Sequence, residues 1–206
     1  MVFFSRSLLA VAALVGLWAS SAPARAQNPN VSMSEINAAL KNIPPQSGRF
    51  EQSLPNGNMA RGTYHMQWPA RLRFAYEGAN DGGSIVTVKG KFVAVQEKPG
   101  AEPNWFPVSL TPLSVLRQAV RDGITQDMVR ARDDSDSVIA LTLHDPKGEL
   151  PGEVTLYFTR AELTLYAWRL VDVQNLVTQV RLSQIIPTDR LDASVFIIDY
   201  DEPDEE

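Results

Sequence analysis

Apolar and polar residues alternate with a period of two along much of the chain, and this pattern predicts β-strands that bury one face. The clearest pair of strands covers residues 63–68 and 71–76. A hairpin is predicted next, with strands 85–88 and 92–95 around the turn Lys89-Gly90-Lys91. The apolar positions of the first pair share one side of the predicted sheet, and they are Tyr64, Met66, Trp68, Leu72, Phe74 and Tyr76.

The second half of the chain is also predicted to be mostly strand. The turn signal Asp145-Pro146-Lys147-Gly148 separates two of these strands. Residues 97–107 are predicted to be a loop because they contain Pro99, Gly100 and Pro103. The predicted strands are 128–132, 138–143, 154–159, 163–171, 176–186 and 195–198.

One helix is predicted near the start of the chain, from Ser32 or Ser34 to about residue 42. Glu35 follows Ser32 by three residues, which is the spacing of a capping box. Pro44-Pro45 ends the helix because proline cannot continue one.

A second helix is predicted in the middle of the chain, where Thr111-Pro112 opens it and Asp122-Gly123 ends it. Leu113 and Leu116 lie on its apolar face. A long antiparallel sheet must curl or close, and two helices can cover only one open face of it. The elements therefore predict a mainly β fold, an unclosed antiparallel β-barrel (half-barrel) covered by a helical lid, with a hydrophobic cavity.

The first 26 residues read as a secretory signal peptide. An apolar run of 11 residues, 8–18, follows Arg6 and is too short for a membrane span of about 20 residues. Small residues then lead to Ala24-Arg25-Ala26, after which cleavage is predicted. We expect one soluble domain at 27–198 and an acidic tail at 199–206, in which six of the eight residues are acidic.

Composition and charge exclude several classes of protein. The formal net charge of −5 argues against a nucleic-acid partner, since such proteins usually carry a basic face. With no cysteine, the chain has no disulfide framework, no thiol chemistry and no cysteine-bound zinc. The segment 133–136 resembles a calcium loop but lacks the required Gly and bidentate Glu, so a turn is predicted there.

Residues suited to catalysis are scarce. The two histidines, His65 and His144, fall on a polar strand face and before a turn. We predict no catalytic residue, no metal site and no cofactor, although a hydrolase with paired carboxylates stays open. The apolar strand faces fit an ordinary core, and they equally fit a hollow that accepts acyl chains.

Several motifs, in order, resemble the LolA family of periplasmic carriers of outer-membrane lipoproteins. An early strand at 47–52 ends in Phe-x-Gln, and residues 62–78 match a Gly-x-aromatic strand, a proline and a second aromatic strand. Residues 85–91 match a strand with its Gly-Lys turn, and Thr111-Pro112 matches the start of the middle helix. The resemblance extends over about residues 34–198.

The resemblance implies a periplasmic, monomeric carrier. Its cavity would take the acyl chains of a lipoprotein from an inner-membrane ABC transporter and pass them to an outer-membrane receptor. Leu113 and Leu116 would face the cavity from the lid. The matching cavity walls are Tyr64, Met66, Leu72, Phe74, Tyr76 and Val86, and Trp68 completes the predicted lipid-binding set.

One position departs from the family pattern. The family often places an arginine directly before the strand-linking proline, where it holds the lid closed, and this chain has Trp68 there. Tryptophan can seal a lid by apolar burial and one N–H hydrogen bond, but it lacks the arginine fork. A carrier or a sensor of another amphiphile, such as a glycolipid, is therefore the alternative.

Overall fold

The computed structural model describes residues 30–69, 71–78, 82–150 and 152–200. The predicted signal peptide and residues 201–206 of the predicted acidic tail lie outside these ranges. In the described part, two α-helices accompany one sheet: α1 (Met33–Lys41) and α2 (Leu113–Asp122). The strands are β1 (Gln46–Ser53), β2 (Met59–Gln67), β3 (Arg71–Tyr76), β4 (Ile85–Lys89), β5 (Phe92–Gln96), β6 (Asn104–Pro107), β7 (Val129–Asp134), β8 (Val138–His144), β9 (Glu153–Thr159), β10 (Leu165–Val171) and β11 (Val177–Pro187).

All strands join one antiparallel sheet in the order β6-β5-β4-β3-β2-β1-β11-β10-β9-β8-β7. Two meanders, one from each half of the chain, meet where β1 pairs with β11. The edge strands β6 and β7 do not pair with each other, so the sheet stays open. The predicted half-barrel with a helical lid is confirmed.

The strand register places the predicted apolar residues on one face. Tyr64 on β2 lies opposite Phe74 on β3, which in turn lies opposite Val86 on β4. Because side chains alternate between the two faces of a strand, these residues share the concave face.

The first helix starts as its sequence predicts. The Ser32 side chain accepts a hydrogen bond from the backbone N–H of Glu35, and the Glu35 side chain accepts one from the backbone N–H of Ser32. Ile36 and Leu40, one turn apart, are fully buried against the sheet core.

Two segments differ from the expectations. Part of the predicted loop 97–107 forms β6, and the period-two pattern missed it because all four residues of this edge strand are exposed. The predicted strand 195–198 is wrong, since Ala193–Phe196 forms a 3₁₀ turn capped by the Asp192 side chain.

This C-terminal segment, residues 193–200, covers the convex face of β3 to β5. Phe196 is 1% exposed, and the Arg71 guanidinium lies 5.8 Å from the centre of its ring. The Arg73 side chain donates a 3.3 Å hydrogen bond to the carbonyl of Ile197. The convex face of this half is therefore buried, which explains why Thr87 and Ala94 are buried although they point away from the interior.

Candidate functional site

The apolar interior, meaning the concave face of the sheet and the helix faces packed on it, is lined by aromatic rings on the β1–β3 side. The Phe50 ring lies 4.7 Å from the Phe74 ring and 5.0 Å from the Tyr76 ring, both edge-to-face. Phe74 also approaches Trp168 of β10 at 6.2 Å, so the rings link the two halves of the sheet.

A glycine in β2 makes room for this cluster. Gly62 lies opposite Phe50 in β1 and opposite Tyr76 in β3. A Cβ atom at position 62 would lie 2.8 Å from the Phe50 ring and 2.0 Å from the carbonyl oxygen of Ala75. The Gly-x-aromatic pattern seen in the sequence therefore reflects packing, because any side chain at this position would displace the ring or the strand.

The interior is closed by the lid, which we define as α1 and α2. α2 contacts α1, β8 and β9. Leu116 and Val115 are fully buried, and Leu113 is 9% exposed. The apolar side chains of α2 thus occupy the space that the half-barrel encloses.

A side-chain clasp joins the two lid helices. Asn37 of α1 accepts a 2.7 Å hydrogen bond from the backbone N–H of Ile124 and donates a 3.0 Å bond to the carbonyl of the same residue. Ile124 follows Gly123, which ends α2 with a φ of +88°. Glycine adopts this conformation without steric cost, so the chain can turn sharply between the helix and the clasp.

The sequence-predicted site residues come together in this interior. Val86, Tyr76 and Trp68 are half-buried and pack against the core. The others are buried in one apolar cluster, and they are Tyr64, Met66, Leu72, Phe74, Leu113 and Leu116. Their role in binding lipid stays a prediction.

The hydroxyl groups of the two interior tyrosines are uncharged, and each forms a hydrogen bond. The Tyr64 hydroxyl accepts a 3.3 Å hydrogen bond from the Gln46 side chain, and burial raises the pKa of Tyr64. The Tyr76 hydroxyl donates to the Gln52 side chain, and burial raises the pKa of Tyr76 to about 12. Both phenols are therefore uncharged at neutral pH and suit an apolar ligand.

Trp68 packs against the core but makes no hydrogen bond through its indole. Its Nε1 atom is buried and has no partner among the described residues. The sequence allowed the Trp68 indole to donate one hydrogen bond to the lid, but no described residue accepts it. Trp68 therefore contributes to the packing of the interior by apolar burial alone.

Sequence reasoning missed half of the interior. Phe50 and Trp168 join the aromatic cluster, and Leu141, Leu156 and Phe158 line the β8–β9 side under α2. The alternation of buried positions in β8 could have indicated this face. Nothing in the sequence, however, says which strands a helix will cover.

Other chemistry is sparse within the described ranges. No group of three or more His, Asp or Glu side chains there could hold a metal ion. Asp134, in the segment that resembles a calcium loop, forms ion pairs with Arg132 at 2.8 Å and Arg160 at 3.0 Å. No helix among these residues is long and apolar enough to cross a bilayer.

Comparison with protein families gives one match. The model of the family described as "Outer membrane lipoprotein carrier protein LolA" matches residues 42–199, which include every strand of the sheet. Among curated proteins, no match was found.

Solved structures with a similar fold have low sequence identity. A LolA superfamily protein from Nitrosomonas europaea is 15% identical, with a TM-score of 0.44, over 82% of this chain and 98% of that one. The Mycobacterium tuberculosis lipoprotein LppX is 11% identical, with a TM-score of 0.40, over 74% and 92%. A chain of the Pseudomonas aeruginosa MucA/MucB complex is 11% identical, with a TM-score of 0.40, over 80% and 59%.

Proposed function

The chain belongs to the LolA family of outer membrane lipoprotein carrier proteins, and from this premise we propose that it is a periplasmic carrier of lipoprotein acyl chains. It is a carrier-like protein of a lipid- and lipoprotein-binding family, whose members bind their ligands rather than transform them. In the proposed cycle it accepts lipoproteins released by an inner-membrane ABC transporter. It then delivers them to an outer-membrane receptor.

The observation that carries this proposal is the way the interior is filled. The apolar side chains on the concave face of the half-barrel are covered by α2, a short helix, rather than by a second sheet. Strands β6 and β7 leave the sheet open, so α2 can move without breaking the strand ladder. A helix that packs where acyl chains would lie can exchange with them.

The free energies of burial support an exchange between the side chains of α2 and an acyl chain, rather than a chain that simply fills an empty cavity. Burying one methylene contributes about 0.8 kcal/mol, so a 16-carbon chain would gain roughly 12 kcal/mol. Each leucine or valine that leaves the interior costs roughly 1.5–3 kcal/mol. Displacing the apolar face of α2 offsets much of the gain from one chain and leaves an affinity that permits release.

Trp68 supports a second candidate cargo. Its indole N–H has no partner among the described residues, and its position is where the family often has arginine. A lid that does not use an arginine fork suits an amphiphile other than a lipoprotein, such as a glycolipid. Mass spectrometry of extracts of the purified protein distinguishes the two cargoes, since lipoprotein peptides are present in one case and absent in the other.

The test of the lid uses two matched substitutions. Leu113→Glu places a carboxylate on the buried face of α2, whereas Leu110→Glu makes the same change at a leucine that is 71% exposed just before the helix. Losing the burial of one leucine corresponds to about tenfold or more in affinity. Because Leu113→Glu weakens the closed lid that competes with the cargo, we expect it to release a fluorescent tripalmitoylated lipopeptide about tenfold more slowly than the wild type.

The control variant, Leu110→Glu, should release the lipopeptide at the wild-type rate. Release is measured by transfer of the lipopeptide to an excess of liposomes. Unchanged release from Leu113→Glu, with binding intact, would contradict the proposed role of the lid.

A further inference from the structure

A cleft lined by both charged and apolar residues lies along α2, and Val108 and Leu150 of its lining also belong to or pack against the apolar core. Its volume is about 560 Å³. α2 and the 3₁₀ turn Val108–Leu110 form one wall, and residues of the β8–β9 turn form another. Pro69 after β2 and Lys91 of the β4–β5 hairpin complete the lining. The cleft therefore joins the lid to both halves of the sheet.

Two of the acidic side chains in this cleft are already engaged. Asp122 forms an ion pair with Arg121 at 2.7 Å. The Asp145 carboxylate accepts hydrogen bonds from the backbone N–H groups of Lys147 at 3.2 Å, Glu149 at 2.8 Å and Leu150 at 2.9 Å. Burial disfavours ionisation of Asp145, but these three hydrogen bonds and the positive charge of Lys147 together outweigh it and lower its pKa.

The cations of the cleft are less well compensated. Arg117 is half-buried, and its guanidinium forms no ion pair or hydrogen bond with the residues that the structure describes. The ammonium groups of Lys91 and Lys147 likewise form no ion pair within the described ranges, although the charge of Lys147 helps to lower the pKa of Asp145. With Arg121 and Asp122 paired, three cations of the lining face the two remaining carboxylates, Asp145 and Glu149, so the cleft carries one excess positive charge.

A buried polar atom lies on the same wall. One end of the Gln118 side-chain amide, assigned as Oε1, has no hydrogen-bond partner in the part of the chain that the structure describes. Since the two ends of an amide are assigned from their neighbours, a bound acceptor would turn its NH₂ group inward. Burial and the nearby Arg121 both lower the pKa of Arg117, in keeping with the absence of an ion pair to this residue among the described residues.

We propose that this cleft binds a phosphate group, held by Arg117 together with Lys91 and Lys147. A guanidinium can bind two phosphate oxygens at once, and the two ammonium groups can donate charge-assisted hydrogen bonds to the other oxygens of the same phosphate. The phosphate comes either from a lipid headgroup or from a free phosphate. The site is independent of the acyl-chain proposal, because Lys91, Arg117 and Lys147 are not part of the apolar core.

The experiment measures binding calorimetrically at low ionic strength with three probes. They are inorganic phosphate, monomeric dihexanoylphosphatidylglycerol and the uncharged dihexanoylglycerol. We expect Arg117→Gln to weaken binding of the phosphate-bearing probes about tenfold and to leave binding of dihexanoylglycerol unchanged. Lys147 is exposed, so Lys147→Gln should weaken binding of the phosphate-bearing probes less than Arg117→Gln does. It replaces Arg117→Gln as the test variant if Arg117→Gln fails to fold.

The matched control is Arg169→Gln, which removes the same charge from β10, outside the cleft. It should change phosphate binding by less than about twofold. Phosphatidylglycerol that binds at least tenfold more tightly than inorganic phosphate identifies a headgroup site, and equal affinities identify a free-phosphate site. Absence of binding by both phosphate probes, or equal losses in Arg117→Gln and Arg169→Gln, would overturn the proposal. If the wild-type protein binds both phosphate-bearing probes but not dihexanoylglycerol, the result counts against the acyl-chain carrier and not against this site.

Discussion

His65 is a residue whose protonation couples stability to pH. It lies on the convex side of β2, opposite Arg73 on β3 and Ser47 on β1. Burial and the positive charge of Arg73 lower the pKa of His65 below its usual value of 6.5. Below about pH 6.5 the unfolded chain therefore binds more protons at this site than the folded chain does.

We predict that the free energy of unfolding falls as the pH decreases from 7.5 to 5.5, and that His65→Gln reduces this fall. Urea unfolding at both pH values measures it. The wild type and His65→Gln contain the same carboxylates. The difference between the two proteins in how far the free energy of unfolding falls from pH 7.5 to 5.5 therefore reports the contribution of His65. An equal fall in the free energy of unfolding in both proteins would show that His65 does not contribute.

Individual interior residues were predictable from the sequence because strand alternation fixes the face of each side chain. Tyr64, Leu72 and Phe74 are buried as the alternation requires. The contact between Asn37 and Ile124 was not predictable, since it joins positions 87 residues apart and depends on how the helices pack. The sequence likewise could not show that Trp68 Nε1 has no hydrogen-bond partner among the described residues, because this depends on tertiary geometry.

The two lid helices are coupled by the clasp at Asn37. Asn37→Ala removes both hydrogen bonds to Ile124 and should destabilise the protein by about 1–3 kcal/mol. Because the Ile124 amide donates to the lost side chain, its hydrogen exchange should accelerate more than that of amides in β1. Asn42→Ala, an exposed change at the end of the same helix, is the control.

Exchange at Ile124 that is equal in the two variants would mean that the clasp does not hold the lid. The free energy of unfolding is measured in parallel, so that global and local opening are separated. A local effect in Asn37→Ala without a comparable global change would locate the coupling in the lid itself.

At the level of elements, the sequence predicted strands with one buried face and helices with caps. It failed for β6, whose four residues are all exposed and carry no alternation. It also failed for Ala193–Phe196, where one aromatic side chain covers the convex face. Both segments take their structure from the sheet they pack on, and local pattern does not encode that surface.

For the whole molecule, the central claim is that the lid and acyl chains compete for one space. The sheet is open between β6 and β7, and the space it encloses holds the side chains of α2. An acyl chain can enter only when those side chains leave. The half-barrel was predictable from strand number and helix number, whereas the filled state of its interior required the packed structure.

The most direct test measures the distance between the lid and the sheet with and without cargo. The chain has no cysteine, so Arg121→Cys on α2 and Arg181→Cys on β11 give a clean spin-label pair for double electron–electron resonance. Thr63→Cys with Arg181→Cys, both on the sheet, is the control pair. We predict that saturating tripalmitoylated lipopeptide lengthens the lid–sheet distance by roughly 5–10 Å, about the width of a helix, and leaves the control distance unchanged. An unchanged lid–sheet distance in protein that demonstrably holds the lipopeptide would contradict the account.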